Sequence, residues 1–124
     1  QWDDHEVRDN WYWERSLERD TRYHEKSMAL IAARARRAFI EYNPLPLSPD
    51  SPDRIYRNLT YGPHVEIFAL DLRSYRGPNS ENRQATLDPS SALFGAAQLA
   101  SLKTAFAASR ATWKVIASDM PIGL

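Results

Sequence analysis

The feature that most constrains this chain is an apolar strand, a helix and a second apolar strand in close succession. Residues 64–71 form a β-rich run with Ile67-Phe68-Ala69-Leu70 at its centre, and residues 94–110 carry Leu99, Leu102 and Phe106 at helical spacing. Residues 113–118 are a short apolar run with strand character. Strand, helix and strand in this order predict a β-α-β unit, whose crossover is almost always right-handed and whose strands are parallel. The fold class that follows is mixed α/β. Such a unit sets Asp71 and Asp119 just beyond the carboxyl ends of neighbouring strands, the edge where open α/β sheets hold ligands.

Upstream, residues 54–61 pair with 64–71 through Gly62-Pro63, which predicts a β-hairpin with Ile67–Leu70 on the inner, buried strand. Residues 22–42 place Met28, Ile31, Ala32, Ala35, Phe39 and Tyr42 on one face of a long helix. Asp20 or Thr21 is the expected cap and Asn43-Pro44 the stop. Four prolines between Pro44 and Pro52 exclude helix and ladder and predict an ordered surface loop. Residues 72–91 are polar, turn at Gly77-Pro78-Asn79, and read as one long loop. With 124 residues, equal numbers of acidic and basic side chains and no repeat, the chain is one domain at most.

Composition removes several classes of function. The absence of cysteine rules out disulfides, thiolate metal sites and thiol nucleophiles. No apolar run approaches the roughly 20 residues that span a bilayer, so no membrane span is expected. Thirteen arginines against three lysines favour bidentate contacts with carboxylates or phosphates, yet the zero net charge argues against a nucleic-acid-coating surface. Arg34, Arg36 and Arg37 read as a solvated helix face, and Tyr56, Tyr61 and Tyr75 as packing residues. His24 reads as a solvated residue on the polar side of the long helix, and His64 as a half-exposed residue at the start of a strand.

The densest chemistry lies in Trp2-Asp3-Asp4-His5-Glu6-Val7-Arg8-Asp9-Asn10. Adjacent carboxylates supply oxygen ligands for a hard or borderline cation, and the neighbouring imidazole can deliver a proton beside it. A solvated acidic chain end is the plain alternative. Trp2, Trp11 and Trp13 count against it, because indoles packed around the cluster bury backbone whose charges then need partners.

These residues carry a family resemblance. Gln1-Trp2-Asp3-Asp4-His5-Glu6-Val7 resembles the central metal motif of the alkaline phosphatase D-type, or PhoD-like, metallophosphatases and phosphodiesterases. The likeness continues through Ala33-Arg34-Ala35-Arg36-Arg37-Ala38-Phe39, Leu70-Asp71-Leu72-Arg73-Ser74-Tyr75-Arg76-Gly77-Pro78-Asn79, Gly95-Ala96-Ala97-Gln98-Leu99 and residues 111–121. It implies part of a calcineurin-like metallophosphatase sandwich, two facing mixed sheets flanked by helices. It also implies metal-dependent hydrolysis of phosphate mono- or diesters, with nucleic acid entering only as a phosphodiester substrate. The cofactor would be a divalent or trivalent ion (Ca, Fe, Mn or Zn), and the compartment an exported or periplasmic one.

By the same resemblance Asp4 binds metal, His5 is catalytic at the phosphoryl oxygen or leaving group, and Glu6 orients His5. Asp3 and Asn10 are further candidates for the metal. Arg73 and Arg76 could clamp a phosphate, although ion-pairing to Asp71 or Glu66 is the commoner use of such arginines. The family's other metal motifs are not in this sequence, so residues 1–124 are expected to be an internal fragment of a single metallophosphatase catalytic domain, itself inactive. The rival reading is a non-catalytic Arg-rich module that binds nucleic acid or protein.

Overall fold

A computed structural model describes residues 1–81 and 83–121. Strand β1 (Arg57–Tyr61) runs antiparallel to β2 (Val65–Ala69), with Arg57 opposite Ala69 and Tyr61 opposite Val65. Gly62 makes the reversal at φ +62°, a left-handed conformation that a side chain would strain. Strand β3 (Trp113–Ala117) lies parallel to β2 on its other side, Val65 opposite Trp113 and Ala69 opposite Ala117. The order β1-β2-β3 makes the hairpin and the β-α-β unit share their central strand. Both expectations hold. The second facing sheet implied by the resemblance is not among the described residues.

Helix α1 (Met28–Tyr42) starts at the first residue of the apolar face, six residues later than the expected start at Arg22. Its cap is Ser27, whose hydroxyl accepts from the Leu30 N–H, and not Asp20 or Thr21. Asp20 is otherwise engaged: its carboxylate takes Arg8 and Arg22, which holds residues 20–26 in an extended and turning path. His24 is therefore off the helix, and exposed. Asn43 ends α1 as expected, with an extended backbone ahead of Pro44 and its N–H returned to the Phe39 carbonyl.

The N-terminal segment packs onto α1. Trp2, Trp11, Leu17, Met28, Ala32 and Ile55 form a buried cluster, flanked by Trp13, Ile31, Ala35 and Phe39. Trp2 meets Trp11 at 6.0 Å and Phe39 at 5.3 Å between ring centroids, both edge to face. Tyr42, expected on this face, is exposed because the cluster ends one turn earlier.

Helix α2 (Ala96–Ala108) connects β2 to β3 and lays Phe106 on Phe68, 5.2 Å between centroids. Its one buried residue is Gln98, while Leu99 and Phe106 are about two-fifths exposed, so the predicted apolar face is only partly covered. Strand β3 is likewise open: Trp113 is 68% exposed and Val115 and Ile116 about half exposed. The 72–91 segment is also not uniformly a surface loop. Leu72, Arg73 and Ser74 are buried directly after β2, and a short 3₁₀ turn forms at Pro89–Ser91. Gly77 lets the loop close on that turn, since a Cβ there would sit 2.5 Å from the Pro89 carbonyl oxygen.

Candidate active site at the carboxyl edge of the sheet

The first ten residues cross the carboxyl ends of β2 and β3. The Gln1 side-chain amide donates to the Ala117 carbonyl at 2.9 Å, just where β3 ends, and burial of Trp2 anchors the next residue in the aromatic cluster. Between these anchors and Trp11 the chain has little freedom. The Asp4 carbonyl accepts from the N–H groups of Val7 and Arg8, and the Asp4 carboxylate accepts from the Asn10 N–H at 2.6 Å. Asn10 closes the turn in the left-handed region, which asparagine tolerates.

This turn brings donor atoms of Asp3, Asp4 and His5 within 4.8 Å of one another. Against them lies Arg73, only 3% exposed, with Nη2 3.3 Å from Asp4 and Nε 3.6 Å from Asp3. Arg73 thus pairs with the motif carboxylates and not with Asp71 or Glu66. Burial pushes the Asp4 carboxyl up, but the Asn10 N–H and the Arg73 cation outweigh it, and the net shift is downward. Asp4 is held ionised.

Asp71 builds the turn that delivers Arg73. Its Oδ1 accepts from the N–H groups of Arg73 and Ser74, at 3.1 and 2.8 Å. Gln98 fixes Asp71 in turn: Oε1 accepts from the Asp71 N–H at 2.9 Å and Nε2 donates to the Asp71 carbonyl at 2.8 Å. The amide pairs with the backbone two residues past the end of β2, as a peptide group would. Asp119 stands beside it, accepting from the Leu72 N–H, and burial, with further push from Asp71 and Asp3, raises its pKa to about 6. Arg76 is half-buried, and that burial, followed by the neighbouring Arg73 charge, lowers its pKa. Its Nη1 lies 3.6 Å from the Met120 sulfur.

The candidates from sequence are therefore largely brought together: Asp3, Asp4, His5, Arg73 and, close by, Arg76. Glu6 does not reach His5; it accepts from the Asp3 N–H at 2.6 Å, a contact of turn-closing type. Asp9 takes the imidazole instead, with Nδ1 3.1 Å from Oδ1, one helical-type step along the motif. Asn10 enters through its backbone and as part of the cavity wall beside His5. Sequence reasoning missed Asp9 and Gln98. The signal for Gln98 was a lone amide within Gly95-Ala96-Ala97-Gln98-Leu99, where a polar side chain in an apolar helical run needs a buried partner.

A cation suits this arrangement. Asp3 Oδ1 is buried without a hydrogen-bond partner, and two carboxylates with an imidazole offer oxygen and nitrogen donors of the class that hard and borderline ions accept. The buried Nε and Nη1 of Arg73 also lack hydrogen-bond partners, so the same edge offers positive donors to an anion. On α1, by contrast, Arg36 lies over the Trp13 ring and Arg37 pairs with Glu41, which disperses the Arg-rich surface that a binding module would need.

Comparison with known proteins agrees. A solved structure of PhoD is 32% identical, with a TM-score of 0.69 over 94% of this chain; the chain spans 23% of that protein. No curated protein sequence matches. The PhoD-like phosphatase family model matches residues 1–124 from end to end, and the chain belongs to that family.

Proposed function

We propose that this chain is one strip of the catalytic domain of a metal-dependent phosphatase acting on phosphate mono- or diesters. The observation that carries the reading is the convergence of Asp3, Asp4 and His5 beside buried Arg73 at the sheet edge, in a member of a phosphatase family. Asp4 and Asp3, with Asn10 adjacent, would hold a divalent or trivalent cation. Bound there, the ion supplies Lewis-acid stabilisation of phosphoryl charge and lowers the pKa of water.

The protein's own residues then divide the remaining work. The exposed His5 ring lies with Nδ1 3.1 Å from Asp9 and Nε2 3.6 Å from Asp4, and from there it would exchange a proton with the departing alkoxide. Arg73 holds its charge in a buried position beside Asp3 and Asp4, where it can pair with a phosphoryl oxygen while limiting repulsion between the two carboxylates. Arg76 adds a second guanidinium on the same side. Trp2 and Trp11 keep the motif turn rigid against α1, so the donors are pre-positioned.

The test uses the intact protein and two aryl esters, 4-nitrophenyl phosphate and bis(4-nitrophenyl) phosphate. Hydrolysis of at least one should disappear on chelation and return with added metal. Asp4→Asn should mainly weaken metal affinity and be partly rescued by excess metal. His5→Ala should lower kcat by roughly 10²- to 10⁴-fold with metal content unchanged, the usual reach of a positioned acid. Full activity after exhaustive chelation would refute metal dependence, and loss of metal in His5→Ala would make His5 a ligand.

A further inference from the structure

Beyond His5 the segment from Arg8 to Tyr23 forms two open surface depressions with a common wall. The inner one, about 390 Å³, is bounded by His5, Asn10 and Tyr23, and the outer one, about 420 Å³, by Arg19 and Asp20. Arg8, Arg15 and Arg22 line both. Each depression is larger than a phosphate group requires. The groove thus runs from the imidazole outward past four guanidiniums, Arg8, Arg15, Arg19 and Arg22.

The charge in it is not cancelled. Asp20 takes both Arg8, at 2.6 Å, and Arg22, at 2.8 Å, so one carboxylate faces two cations. Arg15 is tied by Nη1 to the carbonyls of Asp9 and Asn10, at 2.6 and 3.0 Å, which orients it without neutralising it. Among the described residues neither Arg15 nor Arg19 has a carboxylate at ion-pair distance, and Asp9, the other acid on the wall, is turned to His5. Arg8 is further held by the Tyr23 ring, 5.1 Å from its guanidinium carbon. Arg8, nearly buried, and Arg15, tied to the motif backbone, form a fixed base to which exposed Arg19 and Arg22 add charge, and this surplus opening from the histidine suits a second anion.

We propose that this groove is a second anion subsite, selecting phosphate esters whose leaving group itself carries a phosphate or comparable anion. The inference rests on the proposed role of His5, which places the leaving group on the groove side of the site.

The experiment measures competitive inhibition in the intact protein, with whichever aryl ester it hydrolyses as reporter. The probes are propyl phosphate and propane-1,3-diyl bisphosphate, which differ by one distal phosphate. The bisphosphate should bind at least about tenfold tighter, and the preference should shrink as salt rises from about 0.05 to 0.5 M. Arg15→Gln and Arg19→Gln should each cut the ratio of inhibition constants about three- to tenfold; Arg19, remote from the motif turn, guards against a disturbed catalytic loop. Equal inhibition constants with the reporter still hydrolysed would overturn this inference alone. A preference untouched by both substitutions would be chelation of the metal and would overturn it as well. If neither reporter ester is hydrolysed, the phosphatase reading fails and the subsite falls with it.

Discussion

Gln98→Leu should damage the site from a distance. Gln98 is 2% exposed, and its amide makes three hydrogen bonds, two to the Asp71 peptide and one to the Phe94 carbonyl at 3.0 Å. Leucine nearly conserves volume, so cavity formation contributes little, but it strands a buried N–H and a buried carbonyl of Asp71. Each of these two stranded groups costs about 1–3 kcal/mol, while the Phe94 carbonyl is only partly buried, so the expected loss is about 2–6 kcal/mol. The cost should appear locally as well as globally, because Asp71 directs the N–H groups of Arg73 and Ser74. Urea unfolding of the intact protein measures the first. Hydrogen exchange at residues 71–74 measures the second, and should accelerate there more than in α1. A loss under about 1 kcal/mol with unchanged exchange at residues 71–74 would refute the claim that this amide holds the post-strand turn.

Three further outcomes are expected. Trp2→Ala removes an indole with no exposed surface from the aromatic cluster and should cost about 3–5 kcal/mol, with loss of near-UV circular dichroism as the readout. Asp9→Asn should lower kcat more than Glu6→Gln does, since Asp9 and not Glu6 contacts the imidazole; the reverse order in steady-state kinetics would restore Glu6 as the orienting group. Burial pushes the Asp119 carboxyl up from its ordinary 3.8 to about 6, so between these values the folded state holds a proton that the unfolded chain releases. Its contribution to stability is therefore present below about pH 4 and lost as pH rises through about 6. Relative to Asp119→Asn, the unsubstituted protein should lose about 1–2 kcal/mol over that window, a figure already reduced for solvent screening, in urea titrations at pH 4 and 7.

What the sequence disclosed and what it withheld have different physical origins. Strand and helix periodicity record burial along one element, so β2, α2 and β3 and their parallel pairing were legible, and with them the placing of Asp71 and Asp119 at one edge. The start of α1 was not. The periodic apolar positions begin only at Met28, and the Asp20 carboxylate that could cap an earlier turn is occupied by Arg22 and by Arg8, twelve residues upstream, a competition helical spacing does not encode. The half-open faces of β3 and α2 mislead in the opposite sense: Val115, Ile116 and Leu99 are apolar enough to promise burial that the described residues do not supply.

The site itself shows the same division. Adjacent aspartates and a histidine advertise themselves because their chemistry is local, whereas Arg73 reaches them only through a relay: Gln98 holds the Asp71 peptide, and Asp71 turns the chain. The Asp71 turn is local, but the links on either side of it join groups far apart in the chain, Gln98 to Asp71 across 27 residues and Arg73 to the N-terminal motif. The energy of such a link comes from avoiding desolvated, unpaired groups, which makes it strict in geometry and nearly silent in composition. A buried guanidinium between two carboxylates is likewise stable only as a set. Removing Asp4 would leave Arg73 with a single half-exposed partner, so the motif turn and the post-strand turn are expected to loosen together and not one at a time.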